Sequence, residues 1–199
     1  MTRRGSARCP GAPTPEGAAA FLDREEIAEA VGRLGEEISA AYPEGLVLVG
    51  VLDACVVFMA DLVRRLSVPC RVDFMALSAY RPGSSRVRIV KDLDSDIQGE
   101  PVLLVETLVD TGLTCSFVME ELKRRDPAGL ELCALLDRVG RRVVPLRIAF
   151  GAFEAPGDML VGYGLSFSGR YANLSRIVAV DQEFLVADQN AYVKGVDGR

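Results

Sequence analysis

The sequence contains no histidine and no tryptophan in 199 residues. Without histidine, the chain has neither a Ser-His-Asp nor a Cys-His nucleophilic site, so any proton chemistry falls to carboxylates, lysine or tyrosine. No apolar run approaches the roughly 20 residues that cross a bilayer, and no apolar segment follows the basic first residues as a secretory signal requires. These absences predict a soluble cytoplasmic protein that makes no membrane contact.

The cysteine spacing and the charge balance argue against a zinc site and against nucleic-acid binding. The five cysteines include no Cys-x-x-Cys pair, and the usual zinc spacings need such pairs or histidine. The 23 Lys and Arg residues face 28 Asp and Glu residues, which gives a net charge of −5. Nucleic-acid phosphates attract clusters of Lys and Arg. We therefore expect neither a structural zinc site nor a nucleic-acid partner.

The chain alternates between short apolar runs and segments with helical spacing. Residues 45–53, 101–110 and 129–138 are continuous apolar runs of the kind found in strands buried on both faces. Residues 54–66 and the segment after Gly112 have helical patterns. This alternation predicts βαβ units, and hence an α/β fold with a mainly parallel sheet flanked by helices.

The ends of the chain differ in composition from its centre. Residues 1–16 are rich in Gly, Pro, Arg and Ala without periodicity, and predict a flexible tail. Residues 18–42 carry apolar side chains at helical spacing and predict a helix. The letters RPGSSR at 81–86 predict a mobile loop. With no internal linker, one domain is expected over 17–187, followed by a short tail at 188–199.

The most informative stretch is VLLVETLVDTGLTC at 102–115. A buried strand runs into Glu106, and the letters DTGLT at 110–114 then open a helix. Backbone N–H groups and hydroxyls at a helix N-terminus suit a phosphate ester, and Gly112 lets the backbone approach it closely. The alternative is an ordinary helix start capped by its own Asp or Thr side chain. The position directly after a buried strand favours the phosphate site.

This stretch resembles the phosphoribosyl-diphosphate loop of type I phosphoribosyltransferases. Further blocks resemble bacterial hypoxanthine(-guanine) phosphoribosyltransferases in order over roughly 45–180, namely VGVLDACVVFMADLVRRL, VDFMALSAY, VRIVKDLDSDIQG, LLDRVGRR and VGYGL...YANL. The resemblance implies the type I fold with a small hood, Mg²⁺ as cofactor and a homodimer or homotetramer. It also implies a purine-salvage transferase that joins a 6-oxopurine to the sugar of phosphoribosyl diphosphate and releases pyrophosphate.

The resemblance also implies roles for residues of the 102–115 stretch. Asp110 matches the catalytic carboxylate beside purine N7, which acts as the general base. Glu106 matches the first ribose-binding acid and is a candidate magnesium ligand, whereas Thr107 stands where the family has a second acid. The positions that cradle the 5′-phosphate follow Asp110 directly, and are Thr111, Gly112, Leu113 and Thr114.

The positions that serve pyrophosphate depart from the family pattern. The family's Leu-Lys-Gly is Leu52, Asp53 and Ala54 here. Asp53 brings negative charge toward an anion, and two like charges about 4 Å apart at an effective dielectric of 20 repel by about 4 kcal/mol. A magnesium ion would offset part of this repulsion. Ser166 replaces the family's magnesium-binding Asp, and Ala172 replaces an Arg that contacts pyrophosphate.

The purine end and the mobile loop are altered as well. Arg138 stands where the family uses Lys to hydrogen-bond the 6-oxo group. Met159 replaces the aromatic residue that stacks on the purine, and Leu160 stays an apolar neighbour. The family's Ser-Tyr pair is Ala79 and Tyr80, of which the tyrosine either closes over the site or is an ordinary loop aromatic.

Three functions therefore stay open from the sequence. The first is purine phosphoribosyl transfer with altered specificity, and the second is N-glycosidic transfer or exchange from a donor without pyrophosphate. The third is a non-catalytic nucleotide-binding or regulatory partner subunit. Retention of Asp110 and the phosphate cradle favours the enzymes, because a subunit that had lost its chemistry would have no use for them. In each case the expected partners are a small nucleotide and a heterocyclic base.

Overall fold

The computed structural model describes residues 18–78 and 87–180. The predicted tails, the end of the predicted domain, and Ala79 and Tyr80 lie outside this range. In chain order the elements are β1 (Ala18–Leu22), α1 (Arg24–Ala41), β2 (Leu46–Leu52), α2 (Cys55–Val63), β3 (Cys70–Leu77), β4 (Ile89–Lys91), β5 (Pro101–Val109), α3 (Leu113–Lys123), β6 (Gly129–Asp137), β7 (Phe150–Glu154), β8 (Met159–Val161) and β9 (Ile177–Val180). In this part of the chain, no helix has the length and apolar character to span a membrane.

Six of these strands form the central sheet, in the order β4-β3-β2-β5-β6-β7. Neighbours pair in parallel except at one edge, where β4 runs antiparallel to β3. This confirms the predicted α/β class with a mainly parallel sheet. The carboxyl ends of parallel strands lie at the same edge of a sheet, where ligands bind in open α/β folds. The segments that follow β2, β5 and β6 therefore meet at that edge.

The two faces of the sheet bury different side chains. Helices α1 and α2 pack on one face, in a core that includes Leu34, Phe58 and Leu103. Helix α3 packs on the other face, in a core that includes Val118 and Leu104. The strands β2 and β5 are buried over most of their length, which explains why they are continuous apolar runs rather than alternating ones.

A second sheet, of order β1-β9-β8, forms a hood beside the central sheet. The helix predicted over 18–42 is therefore wrong in its first residues, because residues 18–22 are a strand that pairs with β9. The helix begins after Asp23, whose carboxylate accepts from the Glu26 N–H at 2.8 Å, while the Glu26 carboxylate accepts from the Asp23 N–H at 2.8 Å. This reciprocal capping box fixes the helix start.

Candidate active site

The 110–114 segment forms the turn between β5 and the first residue of α3. Gly112 is the N-cap residue and has a φ of +83°, a left-handed conformation that favours glycine. A Cβ at this position would lie 3.0 Å from both Val144 Cγ2 and Leu146 Cδ1. Gly112 is thus required both by the backbone conformation and by the close approach of the segment that follows β6.

The start of α3 is not closed by a side-chain cap. The Leu113 N–H reaches the Thr111 hydroxyl only at 3.5 Å, at the limit of a hydrogen bond. The first N–H groups of any helix have no helical carbonyl to bond, and their dipoles favour an anion. The Thr111 carbonyl is held by the Val143 N–H at 2.9 Å. The turn is therefore held in place by the segment after β6, while the start of α3 has no side-chain cap.

Asp110 lies between two guanidinium groups at the mouth of this turn. Its Oδ1 is 3.5 Å from Arg138 Nη1 and 3.2 Å from Arg141 Nε. Within the described residues this oxygen is buried and accepts no hydrogen bond. The Asp110 side chain as a whole is 36% exposed, so its carboxylate can accept a hydrogen bond from a ligand at this opening. The sequence identified Asp110 and Arg138, and Arg141 joins them through the short 3₁₀ turn at Val139–Arg141.

Arg138 holds the hood segment as well as facing Asp110. The residue is only 5% exposed. Its Nε donates to the Pro156 carbonyl at 2.9 Å and its Nη2 donates to the Asp158 carbonyl. Those carbonyls precede β8, which begins at Met159. Arg138 therefore joins the end of β6 to the segment that presents Met159 and Leu160, the predicted base-binding positions.

Glu106 is a buried acid near the end of β5, 8% exposed. Burial raises the pKa of its carboxyl to about 8, because a charged carboxylate loses its hydration there. At neutral pH the side chain is mostly protonated, so it can donate one hydrogen bond as well as accept others. A protonated acid suits ribose hydroxyls, and a nearby cation would favour release of the proton.

The Thr107 side chain contacts the segment 52–54, which stands at the position of the family's pyrophosphate loop. It is fully buried, and its hydroxyl donates to the Ala54 carbonyl at 2.8 Å. Leu52 and Asp53 are joined by a cis peptide bond, and Asp53 is exposed. The structure thus brings 52–54 against β5, and it directs the Thr107 hydroxyl to that segment.

The hood places the remaining predicted positions. Leu160 is 3% exposed in β8, whereas Ser166 is exposed beyond it. Ala172 lines a cavity of about 650 Å³ between α1, α2 and the hood. The sequence did not identify Tyr163, whose hydroxyl donates to Asp61 Oδ2 at 2.7 Å and ties the hood to α2. The segment VGYGL, which contains Tyr163, does not predict this hydrogen bond, because Asp61 lies 102 residues away in sequence.

Cysteines near the site are packed side chains rather than nucleophiles. Cys55 and Cys115 are 0% and 3% exposed, and burial, aided by the nearby Glu106, raises the pKa of each thiol to about 12. Their thiolates are scarce at neutral pH. In the two described ranges, no group of three or more His, Cys, Asp or Glu side chains is arranged to hold a metal.

The chain is similar in sequence to known phosphoribosyltransferases. A phosphoribosyl transferase domain model matches residues 17–162. The hypoxanthine phosphoribosyltransferase of Salmonella typhimurium is 42% identical over 171 residues, which cover 81% of this chain and 96% of that protein. The hypoxanthine-guanine phosphoribosyltransferase of Mycobacterium avium is 40% identical over 171 residues, which cover 81% of this chain and 84% of that protein.

Solved structures give the same answer. A hypoxanthine-guanine phosphoribosyltransferase of Bacillus anthracis superposes with a TM-score of 0.79 at 32% identity, covering 83% of this chain and 99% of that one. A hypoxanthine phosphoribosyl transferase of Trypanosoma cruzi superposes with a TM-score of 0.83 at 31% identity, covering 89% and 98%. The order of the elements, the turn at 110–114 and these relatives lead to one conclusion: the chain belongs to the phosphoribosyl transferase domain family.

Proposed function

We propose that this protein transfers the 5-phosphoribosyl group of phosphoribosyl diphosphate to a purine of the hypoxanthine or guanine type. The observation that carries the proposal is the position of Asp110, at the mouth of an uncapped helix and beside Arg138. A proton acceptor next to a phosphate cradle is what attachment of a purine to a sugar phosphate needs. The relatives are named as phosphoribosyltransferases, which favours phosphoribosyl transfer. It disfavours the two other functions, namely transfer from a donor without pyrophosphate and a non-catalytic subunit.

The chain's residues divide the reaction between them. The bond from the sugar C1 to the pyrophosphate oxygen breaks, the bond from C1 to purine N9 forms, and the proton on N7 passes to Asp110. The turn at 110–114 holds the 5′-phosphate, and an N–H of Arg138 that the Pro156 and Asp158 carbonyls leave unused donates to the purine's 6-oxo oxygen. Glu106 bonds the ribose hydroxyls. Held in this way, the reactants need little reorganisation as positive charge develops on the sugar.

The site offers few protein ligands for a magnesium ion. Mg²⁺ is bound through one or two carboxylates together with substrate phosphates, and Glu106 is the buried carboxyl available to it. The ion would supply positive charge to the departing pyrophosphate. Ser166 and Thr107 cannot contribute the further carboxylates that the family has, so we propose that the substrate's own oxygens complete the coordination.

A turnover assay tests the proposal directly. The full chain is incubated with phosphoribosyl diphosphate, Mg²⁺ and either hypoxanthine or guanine, and pyrophosphate release is measured with nucleotide formation. We expect turnover that falls about 10²- to 10⁴-fold in Asp110→Asn, which keeps the shape but removes the proton acceptor. Asp126→Asn, on an exposed turn, is the matched control. Absence of pyrophosphate with every purine would refute the proposal.

Two further expectations stay predictions. The family resemblance predicts a homodimer or homotetramer, which light scattering on the eluting chain tests by its mass. A cytoplasmic location also remains predicted, and fractionation of the source cells with an antibody against the chain tests it.

A further inference from the structure

The segment 52–54 and strand β5 are joined by one hydrogen bond. Thr107 donates it from a fully buried hydroxyl to the Ala54 carbonyl at 2.8 Å. Because a peptide unit is planar, fixing that carbonyl fixes the orientation of the Ala54–Cys55 peptide, at the first residue of α2. Thr107 shares a strand face with Leu103 and Val105, which belong to the core beneath α1 and α2.

The same carbonyl is also confined from the hood. A Cβ built on Gly164 would lie 2.5 Å from the Ala54 oxygen, so the hood backbone packs directly against it. Gly164 has a φ of +92° and follows Tyr163, which is anchored to Asp61. Three parts of the molecule, β5, the 52–54 segment and the hood, thus meet at one carbonyl oxygen.

We propose that Thr107 is a positioning residue that sets the 52–54 segment for the diphosphate end of the donor, an inference that rests on the proposed function. A buried hydroxyl bonded to a carbonyl is directed away from ribose, and its loss would leave that carbonyl without its buried donor. An ionised aspartate at this position, as the family has, would place an acceptor against an acceptor. The threonine and the inward-facing Ala54 carbonyl therefore form a matched pair.

Three variants of the full chain separate this role from a ribose contact. Thr107→Val keeps the shape without the hydroxyl, Thr107→Ser keeps the hydroxyl, and Thr107→Asp restores the family's acid. We expect Thr107→Val to raise the KM for phosphoribosyl diphosphate about five- to tenfold while the KM for hypoxanthine changes less than twofold. Thr107→Ser should remain within about twofold of wild type for both substrates, and Thr107→Asp should be no better than Thr107→Val.

Amide hydrogen exchange over residues 52–57 gives a readout that needs no turnover. We expect faster exchange there in Thr107→Val and unchanged exchange in Thr107→Ser. Ser39→Ala is the control, since it removes a comparable hydroxyl that donates to the Gly35 carbonyl at 2.7 Å far from the site. Equal exchange and equal KM in wild type and Thr107→Val would overturn the proposal, as would a Thr107→Asp variant that binds the donor best. A wild type that lacks turnover refutes the proposed function alone, because the exchange result still decides the role of Thr107.

Discussion

Arg138 and Asp110 form an ion pair at the carboxyl edge of the central sheet, with Nη1 of the arginine 3.5 Å from Oδ1 of the aspartate. The arginine side chain is 6% exposed and the aspartate side chain is 36% exposed. One partner is therefore fixed in the protein while the other faces the opening. Since the guanidinium is a planar fork with five donors, Arg138 holds two carbonyls of the hood segment and still faces Asp110.

Arg138→Lys, which restores the family's residue, is expected to impair this protein. An ammonium group cannot reproduce the spread of the fork, so at least one of the Pro156 and Asp158 carbonyls loses its donor. We expect the free energy of unfolding to fall by about 1–3 kcal/mol and inosine monophosphate to bind more weakly. Urea unfolding and calorimetric titration measure the two effects. Arg33→Lys, in an exposed pair with Glu37, is the control. If Arg138→Lys lost no more stability and no more affinity than Arg33→Lys, the role of Arg138 in holding the two carbonyls would be contradicted.

Glu106→Gln should change how stability depends on pH. The pKa of Glu106 is about 8 in the folded chain and near 4.3 in an unfolded one, so between these values the unfolded state releases a proton that the folded state keeps. Wild-type unfolding free energy therefore falls as pH rises from about 5 to 8, by at most about 1.4 kcal/mol per pH unit from this group. Glu106→Gln should lack this loss.

Urea unfolding at several pH values between 5 and 8.5 measures the difference. The exposed Glu29, changed to Gln, should keep the wild-type slope. Parallel slopes for wild type and Glu106→Gln would show that the buried carboxyl is ionised across this range.

Gly112→Ala tests the phosphate cradle. An alanine in the left-handed region costs about 1–2 kcal/mol, and its Cβ would also lie 3.0 Å from Val144 Cγ2. We expect lower stability together with at least tenfold weaker binding of inosine monophosphate. Gly99, with a φ of +70° and nothing within 4 Å of a built Cβ, is the matched control. Gly99→Ala should lose stability alone, and unchanged binding in Gly112→Ala would contradict the cradle.

Asp53→Lys addresses the charge beside the diphosphate. Asp53 is exposed after β2, and removing a like charge from an anion's surroundings should strengthen binding. We expect the KM for phosphoribosyl diphosphate to fall about tenfold in Asp53→Lys and by less in Asp53→Asn. Steady-state kinetics at fixed Mg²⁺ measures both. An increase in KM in both variants would instead indicate that Asp53 assists through the metal.

The sequence predicted those parts of the molecule that depend on neighbouring residues. The apolar runs predicted β2, β5 and β6, and the letters DTGLT predicted the turn whose Gly112 is left-handed. Strand β1 was mistaken for helix because its few apolar residues fit either period, and its partner β9 lies at the far end of the described chain. The Asp23 and Glu26 capping box was the local sign of the true helix start.

Contacts between distant segments could not be predicted in this way. Thr107 and Ala54 are 53 residues apart, and Arg138 reaches carbonyls 18 and 20 residues further along. Every residue has a backbone carbonyl, so the sequence does not show which carbonyl accepts a hydrogen bond from a given side chain. When a family's ligand residue is replaced by one that donates to a carbonyl, the sequence therefore shows only that the ligand is missing. From the sequence, Thr107 is only a position that lacks the family's second acid, whereas its hydrogen bond to the Ala54 carbonyl is seen in the structure alone.

The pairing of β1 with β9 has a consequence for how the chain is made. Ala18 pairs with Val180, so β1, the first of the described strands to be synthesised, has no neighbour until β9, the last of them, has been made. The six-stranded sheet can assemble during synthesis, but the three-stranded unit that carries Leu160 cannot close until β9 has been made. A chain that ended between β7 and β9 would therefore have the strands and helix that frame the 110–114 turn, but not the complete three-stranded unit that carries Leu160.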